Sequence, residues 1–513
     1  MNPSASEAMY DLKRTLNFYI GRAIDEPIEP PEVLHININF KCNLRCTICT
    51  ISRKEMELPE LSFEEVARMI DEAASMGIKQ LLLLGGEPLL RKDIIEIANY
   101  AEDRGLSSSI ITNGTLIDKN MAEKLALSKV SHIEFSIDGL EKGNDAIRGR
   151  GVFKKVINAM DLLQESIVRH NNKRLSIGCT FTITNSNVNQ MYDFVQFFDK
   201  KYGRNNPARF ELHFQPVVSN NANPQNPIYT TEMVSPKKFD TLHDNIRKII
   251  LFIESHKGDK FAVIRCQTER HLLGIERYFK KKLKVEESKC YAGFNRLMTT
   301  QRGQFYLCGT AFGNVRVQSL REGWYSEDAR RARAMIRKCR TPCLNFCQYI
   351  QGKELEMESI EQILELSLQR LGKRGIDFRD KREFIKSVVS FLEEQKKFIK
   401  SRISKNIPPE TRQSTSNCIE EIESAIRFLN NNANGILNNQ GGVQPIRELL
   451  AELSKDELVN QVIELSQYRE ELNSIKSSLG YRLLLRPVNF LYENLRHIVL
   501  KFRRRKHLYK KRN

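Results

Sequence analysis

The sequence predicts an α/β protein built on a parallel sheet, followed by a cysteine-bearing segment and a mostly helical C-terminal region. Three observations carry this. Short apolar runs alternate with helical patterns six times between Val33 and Phe214; the runs are near-continuously apolar, as parallel strands are; and helix starts and stops carry capping residues and glycines. A chain of 513 residues has a prior of about three domains. With 41% hydrophobic and 28% charged residues, collagenous, low-complexity and wholly disordered classes are excluded. No apolar run approaches the ~18 residues of a membrane span, and the start MNPSASEAMYDLKRTLNF lacks the apolar core of a secretory signal. The expected location is the cytoplasm. Thiols stay reduced there, so eleven cysteines argue for metal sites over disulfides.

The elements follow in order. After an N-terminal extension, residues 1–32, comes strand LHININF, and then a helix capped at Ser62. Glu65 completes its capping box, Phe63, Val66, Met69, Ile70 and Ala73 form its apolar stripe, and Gly77 sits where a left-handed C-terminal residue is wanted. Strand LLLL follows. The unit then repeats: a helix from Asp93 closed by Gly105, strand SSIIT, a helix from Asp118, strand IEFSI, a helix from Phe153, strand CTFTI, a helix from Asn187 and strand RFELHF. Right-handed βαβ units put functional loops beyond the C-terminal ends of the strands. The core is assigned to 33–216, a connector to 217–285, a cysteine domain to 286–350, a helical region to 351–429, a flexible linker to 430–445 because of its Asn, Gln and Gly content, and an amphipathic helix with a basic tail to 446–513.

Cys42, Cys46 and Cys49 stand on one short loop after the first strand. Three thiolates so placed can hold three corners of a cubane 4Fe–4S cluster and leave one iron open for chemistry. A structural zinc knuckle is the alternative, but it wants a fourth ligand at short spacing, and none follows.

This C-x3-C-x2-C loop, with the strand-end motifs Gly85-Gly86-Glu87-Pro88, Thr112-Asn113-Gly114, Ser136-Ile137-Asp138-Gly139 with Arg148 twelve residues after Ser136, and Phe181 to Asn185 including Thr182, resembles the radical S-adenosylmethionine (SAM) enzymes over residues 33–215. The resemblance implies a partial (β/α)6 barrel. It also implies that Gly85, Gly86, Glu87 and Pro88 present backbone groups to the SAM amino group, with glycine needed because a Cβ would block that approach. Ser136 and Arg148 would bind the SAM carboxylate, and the Thr182 strand end would line adenine and ribose. Thr112, Asn113 and Asp138 complete the expected SAM set. An electron from the reduced cluster would then cleave SAM to methionine and a 5′-deoxyadenosyl radical that takes a hydrogen from substrate.

Cys290, Gly303 and Cys308 in a C-x12-G-x4-C pattern, followed by Cys339, Cys343 and Cys347, resemble the opening of the SPASM extension of that family. Glycine suits a tight hairpin in QRGQFYL. Five cysteines are too few for two further clusters, so the resemblance implies the shortened twitch form with a second 4Fe–4S cluster. That leaves one cysteine over: Cys290 and Cys308 are the firmest ligands, Cys343 and Cys347 are favoured next, and Cys339 is the spare or an alternative. Zinc stays open here as well. Cys179, Cys266 and Cys418 read as small buried hydrophobes.

The expected substrate is a small molecule, a sugar or nucleotide sugar of a glycan or natural-product pathway, with a peptide or protein maturase as the alternative and a non-catalytic Fe–S or nucleic-acid-binding protein after that. The resemblance implies a reducing partner such as flavodoxin or ferredoxin. Only about thirty residues precede the first strand, which counts against the leader-binding domain of peptide maturases. From Gly480 the tail holds eleven Lys/Arg and one Glu, or +10 of the +18 net charge, with Leu483, Leu484, Leu491, Leu495, Ile498 and Phe502 able to share an apolar face. This composition suits an interfacial helix on an anionic inner membrane leaflet. A nucleic-acid-binding arm and an oligomerisation helix are the other readings.

Overall fold

The computed structural model describes residues 3–49, 59–203, 209–218, 231–256, 269–344, 378–403 and 409–438, with a few positions between 359 and 367. The chain divides into two compact units, Met1–Asn431 and Asn432–Asn513. Beyond Asn438 the second lies outside the described residues, and with it the tail.

The alternation read from the sequence is present. Strands β1 (Val33–Asn39), β2 (Gln80–Gly85), β3 (Ser107–Thr112), β4 (His132–Ser136), β5 (Ser176–Ile183) and β6 (Phe210–Pro216) pair in that order, each parallel to the next. Helices α2 (Phe63–Met76), α3 (Ile94–Asp103), α4 (Lys119–Leu127), α6 (Val152–Arg169) and α7 (Met191–Tyr202) connect them, with a further short helix α5 (Glu141–Arg148) that the sequence reading did not include. Local signals set the boundaries. Ser62 caps α2 in a reciprocal box with Glu65, Gly77 closes it at φ 84°, and Asp118 caps α4 through the Met121 amide. Val66, Ile70 and Ala73 of α2 are fully buried against the sheet; each large aliphatic so buried contributes about 1.5–3 kcal/mol.

The strands differ from the expected continuous apolar runs. On β4 to β6 the residues alternate: Ile133, Phe135, Ile177, Cys179, Phe181, Leu212 and Phe214 join the helix-packed core, while His132, Glu134, Ser136, Thr180, Thr182, His213 and Gln215 occupy the other face. Period two means that this second face is polar by design of the sequence.

The sheet does not stop at β1. β7 (Arg296–Thr299) pairs parallel with β1, and β8 (Gln304–Leu307) and β9 (Thr310–Asn314) continue antiparallel, giving a nine-stranded sheet of order β6-β5-β4-β3-β2-β1-β7-β8-β9. The segment assigned to a separate cysteine domain therefore shares its sheet with the core. Gly303 turns β7 into β8 at φ 76°, in the hairpin expected for it, where a Cβ would also lie 2.4 Å from Val315 Cγ2. The connector contains helices Phe239–Ser255 and Glu269–Phe279. Helix α1 (Pro3–Ile24) packs on helix Phe378–Ile403. The final described helix, Pro409–Asn438, runs through the start of the segment assigned as a flexible linker, because its Asn residues continue the helical backbone there.

Candidate functional site

The cysteine loop starts where β1 ends and is hydrogen-bonded to the next strand end. Gly86 N donates to Asn39 O at 2.9 Å, Glu87 N to Lys41 O at 2.8 Å, and Asn39 Nδ2 to Glu87 O at 2.8 Å. The approach is close: a Cβ on Gly85 would sit 2.3 Å from Asn39 O, and one on Gly86 2.3 Å from Lys41 O. Glycine is required at both positions to seat this loop against the cysteine loop, a different steric reason from the SAM approach expected. Thr47 N donates to Ile147 O at 2.8 Å, tying the same loop to the end of α5 beside Arg148.

Cys46 is buried and Cys42 and Cys49 are half-buried. Cys42 Sγ accepts from Leu44 N at 3.5 Å and from Asn113 Nδ2 at 3.9 Å. Burial pushes the Cys46 thiol up to about 11, with Arg148 acting in the opposite direction, so ligation of iron there displaces a proton. Among the described residues, no three His, Cys, Asp or Glu side chains converge closely enough to ligate a single metal ion. Three thiols on one loop match three corners of a cubane cluster, while a zinc ion wants a fourth protein ligand at short spacing.

Around this loop the expected strand-end residues come together, and several are bonded to one another. The fully buried Glu87 carboxylate accepts from Thr112 Oγ1 and Asn113 N, both at 2.7 Å, and from Leu89 N at 3.0 Å as the short turn opens at Pro88. Desolvation raises its carboxyl above the ordinary value, and those three donors oppose the shift. Asp138, also fully buried, accepts from Thr182 N at 2.9 Å and pairs with Arg148 Nε at 2.7 Å. Glu87, Thr112 and Asp138 thus brace the loops, whereas Ser136 and Thr182 are half-buried on the polar face.

That face carries residues the sequence reading did not single out. Glu134 accepts from or pairs with His132 Nε2 at 2.8 Å, His213 Nδ1 at 3.3 Å and Thr180 Oγ1. Gly178 makes room for the group, since a Cβ there would lie 1.8 Å from Glu134 Oε2. Alternating polar residues in HIEFS and FELHFQ were the available signal.

In the second cysteine set, Cys290, Cys308, Cys339 and Cys343 line one cavity of about 190 Å³. Cys339, expected as the spare, is therefore with the other three, and Cys347 lies outside the described residues. Four thiols around one cavity match the ligand count of a cubane cluster and equally that of a four-cysteine zinc site. Cys179 and Cys418 are buried hydrophobes as expected, and Cys266 lies outside the described residues.

The fold is a parallel α/β sheet with a three-cysteine loop at its first strand end. Residues 36–197 match the model of the Radical SAM superfamily. The chain is similar to Fe-coproporphyrin III synthase of Methanosarcina barkeri, with 40% identity over 154 residues, 30% of this chain and 37% of that protein. It is 27% identical to AdoMet-dependent heme synthase of the same organism over 61% of this chain and 85% of that protein. It is 36% identical to PqqA peptide cyclase of Granulibacter bethesdensis over 27% of this chain and 38% of that protein. The chain thus spans well under half the length of two of these three relatives.

Proposed function

We propose that the chain is a radical SAM enzyme with two 4Fe–4S clusters, the first held by Cys42, Cys46 and Cys49 and the second, in a twitch-like segment, by Cys290, Cys308, Cys339 and Cys343. The observation that carries the first assignment is the cysteine loop hydrogen-bonded to the Gly85–Pro88 loop and to the helix end beside Arg148. When bound, the cluster and SAM supply reductive cleavage to methionine and a 5′-deoxyadenosyl radical. The chain's own part is positional. Ser136 and Thr182 on the polar face, and the Arg148 donors that Asp138 does not take, would hold SAM in this reading.

The expected sugar substrate finds no support among the relatives. A peptide or protein substrate, the alternative, is backed by the similarity to PqqA peptide cyclase. A porphyrin is the second reading, favoured by the higher identity to Fe-coproporphyrin III synthase and the longer match to heme synthase. A small reducing protein such as flavodoxin or ferredoxin would supply electrons.

Anaerobically reconstituted protein reduced with dithionite should form 5′-deoxyadenosine slowly without substrate. Replacing Cys42, Cys46 and Cys49 together by Ala should abolish that product, and its persistence in the triple variant would overturn the assignment.

A further inference from the structure

The four-cysteine cavity has one wall from a distant part of the chain. Arg22, in the last turn of α1, lines it, and no other charged side chain does among the described residues; the rest of the lining is thiol, thioether, hydroxyl or aliphatic. Arg22 Nε donates to the carbonyl of Cys290 at 2.8 Å, and its guanidinium lies 5.8 Å from the Tyr291 ring centroid.

The end of α1 is held in place from several sides. Asp25, immediately after the helix, pairs with Arg337 Nε at 2.7 Å and accepts from Thr411 Oγ1 at 3.1 Å. Ser414 Oγ donates to Ala23 O at 2.8 Å, and Tyr19 OH to Glu421 Oε2 at 2.8 Å. Arg337 belongs to the helix Glu327–Arg337, which leads directly into Cys339. These contacts fix the backbone from which Arg22 projects, and the guanidinium itself is held at the cavity by its bond to the Cys290 carbonyl and by the Tyr291 ring.

A cubane cluster bound by four thiolates carries net negative charge, which grows by one on reduction. In a cavity otherwise lined by neutral groups, one fixed guanidinium favours the reduced form more than the oxidised form and raises the reduction potential. We propose that Arg22 is a positioning residue of the second cluster, supplying its counter-charge and making the N-terminal helix part of the auxiliary site. This rests on the two-cluster reading above.

The test uses the full chain, anaerobically reconstituted, as wild type, Arg22→Gln and Arg22→Lys. Iron per chain is counted, and both clusters are titrated potentiometrically by electron paramagnetic resonance; the Cys42, Cys46 and Cys49 triple variant identifies the second cluster's signal. The expected result is that Arg22→Gln lowers the second cluster's potential, leaves the first cluster's unchanged, and Arg22→Lys restores most of the difference. Loss of the second cluster in Arg22→Gln with retention in Arg22→Lys also supports the counter-charge. An unmoved potential with about eight iron per chain overturns the role of Arg22 alone, as does loss of the cluster in both variants, which would mean helix docking only. About four iron in the wild type overturns the two-cluster reading and the proposal with it.

Discussion

Arg148 Nε stands 2.7 Å from Asp138 Oδ2, and this pair joins three loops that meet at the proposed SAM site. Asp138 follows β4 and takes the Thr182 amide of β5 with its other oxygen, while Arg148 ends α5, whose Ile147 carbonyl holds the cysteine loop through Thr47. A guanidinium has five N–H donors in a fixed fork, so Arg148 can keep Asp138 and still offer donors to a ligand carboxylate.

Asp138→Ala leaves the Arg148 charge nearly buried without its partner. Breaking a buried pair in this way costs about 3–5 kcal/mol. The variant should melt at lower temperature than the wild type and bind SAM more weakly by calorimetry. Equal melting temperatures would show that the pair does not brace these loops.

The second cysteine set yields a sharper expectation than the spacing alone. Cys339→Ser should lower iron from about eight to about four per chain, as should Cys290→Ser, Cys308→Ser and Cys343→Ser. If Cys339→Ser keeps both clusters, the cavity lining misidentifies the fourth ligand and Cys347 takes its place.

Glu134 predicts a pH dependence. Burial opposes its ionisation, but His213 and His132 outweigh burial and hold its carboxyl far below the usual range. A carboxylate with a lowered folded value stabilises the fold above its unfolded value of about 4.3, and this contribution is lost as pH falls towards the folded value. Glu134→Gln should therefore lower the melting temperature at pH 7 and narrow its gap from the wild type as pH drops below about 5. Parallel melting curves of the two proteins across that range would contradict the sign.

The basic tail is proposed to bind anionic membranes. At about 1 kcal/mol for each basic residue near such a surface, a few engaged side chains give measurable attachment. Full-length protein should co-sediment with phosphatidylglycerol vesicles, and a chain ending at Leu479 should not, with SAM cleavage the same in both. Tighter retention on RNA than on vesicles at equal salt would favour the nucleic-acid reading.

By itself the sequence determined the six strand–helix repeats, the Ser62–Glu65 cap, the Gly303 hairpin and the three-cysteine loop. Each is encoded within a few residues by periodicity, capping chemistry or ligand spacing, so no distant contact is needed to read it. Tertiary structure alone decided that β7 extends the core sheet beside β1, that Cys339 joins Cys290, Cys308 and Cys343, that Arg22 reaches the same cavity, and that Glu134 meets His213 across β5. Those partners lie tens to hundreds of residues apart. Strand pairing and side-chain convergence across such separations depend on how the elements pack, and local composition carries no register for that packing.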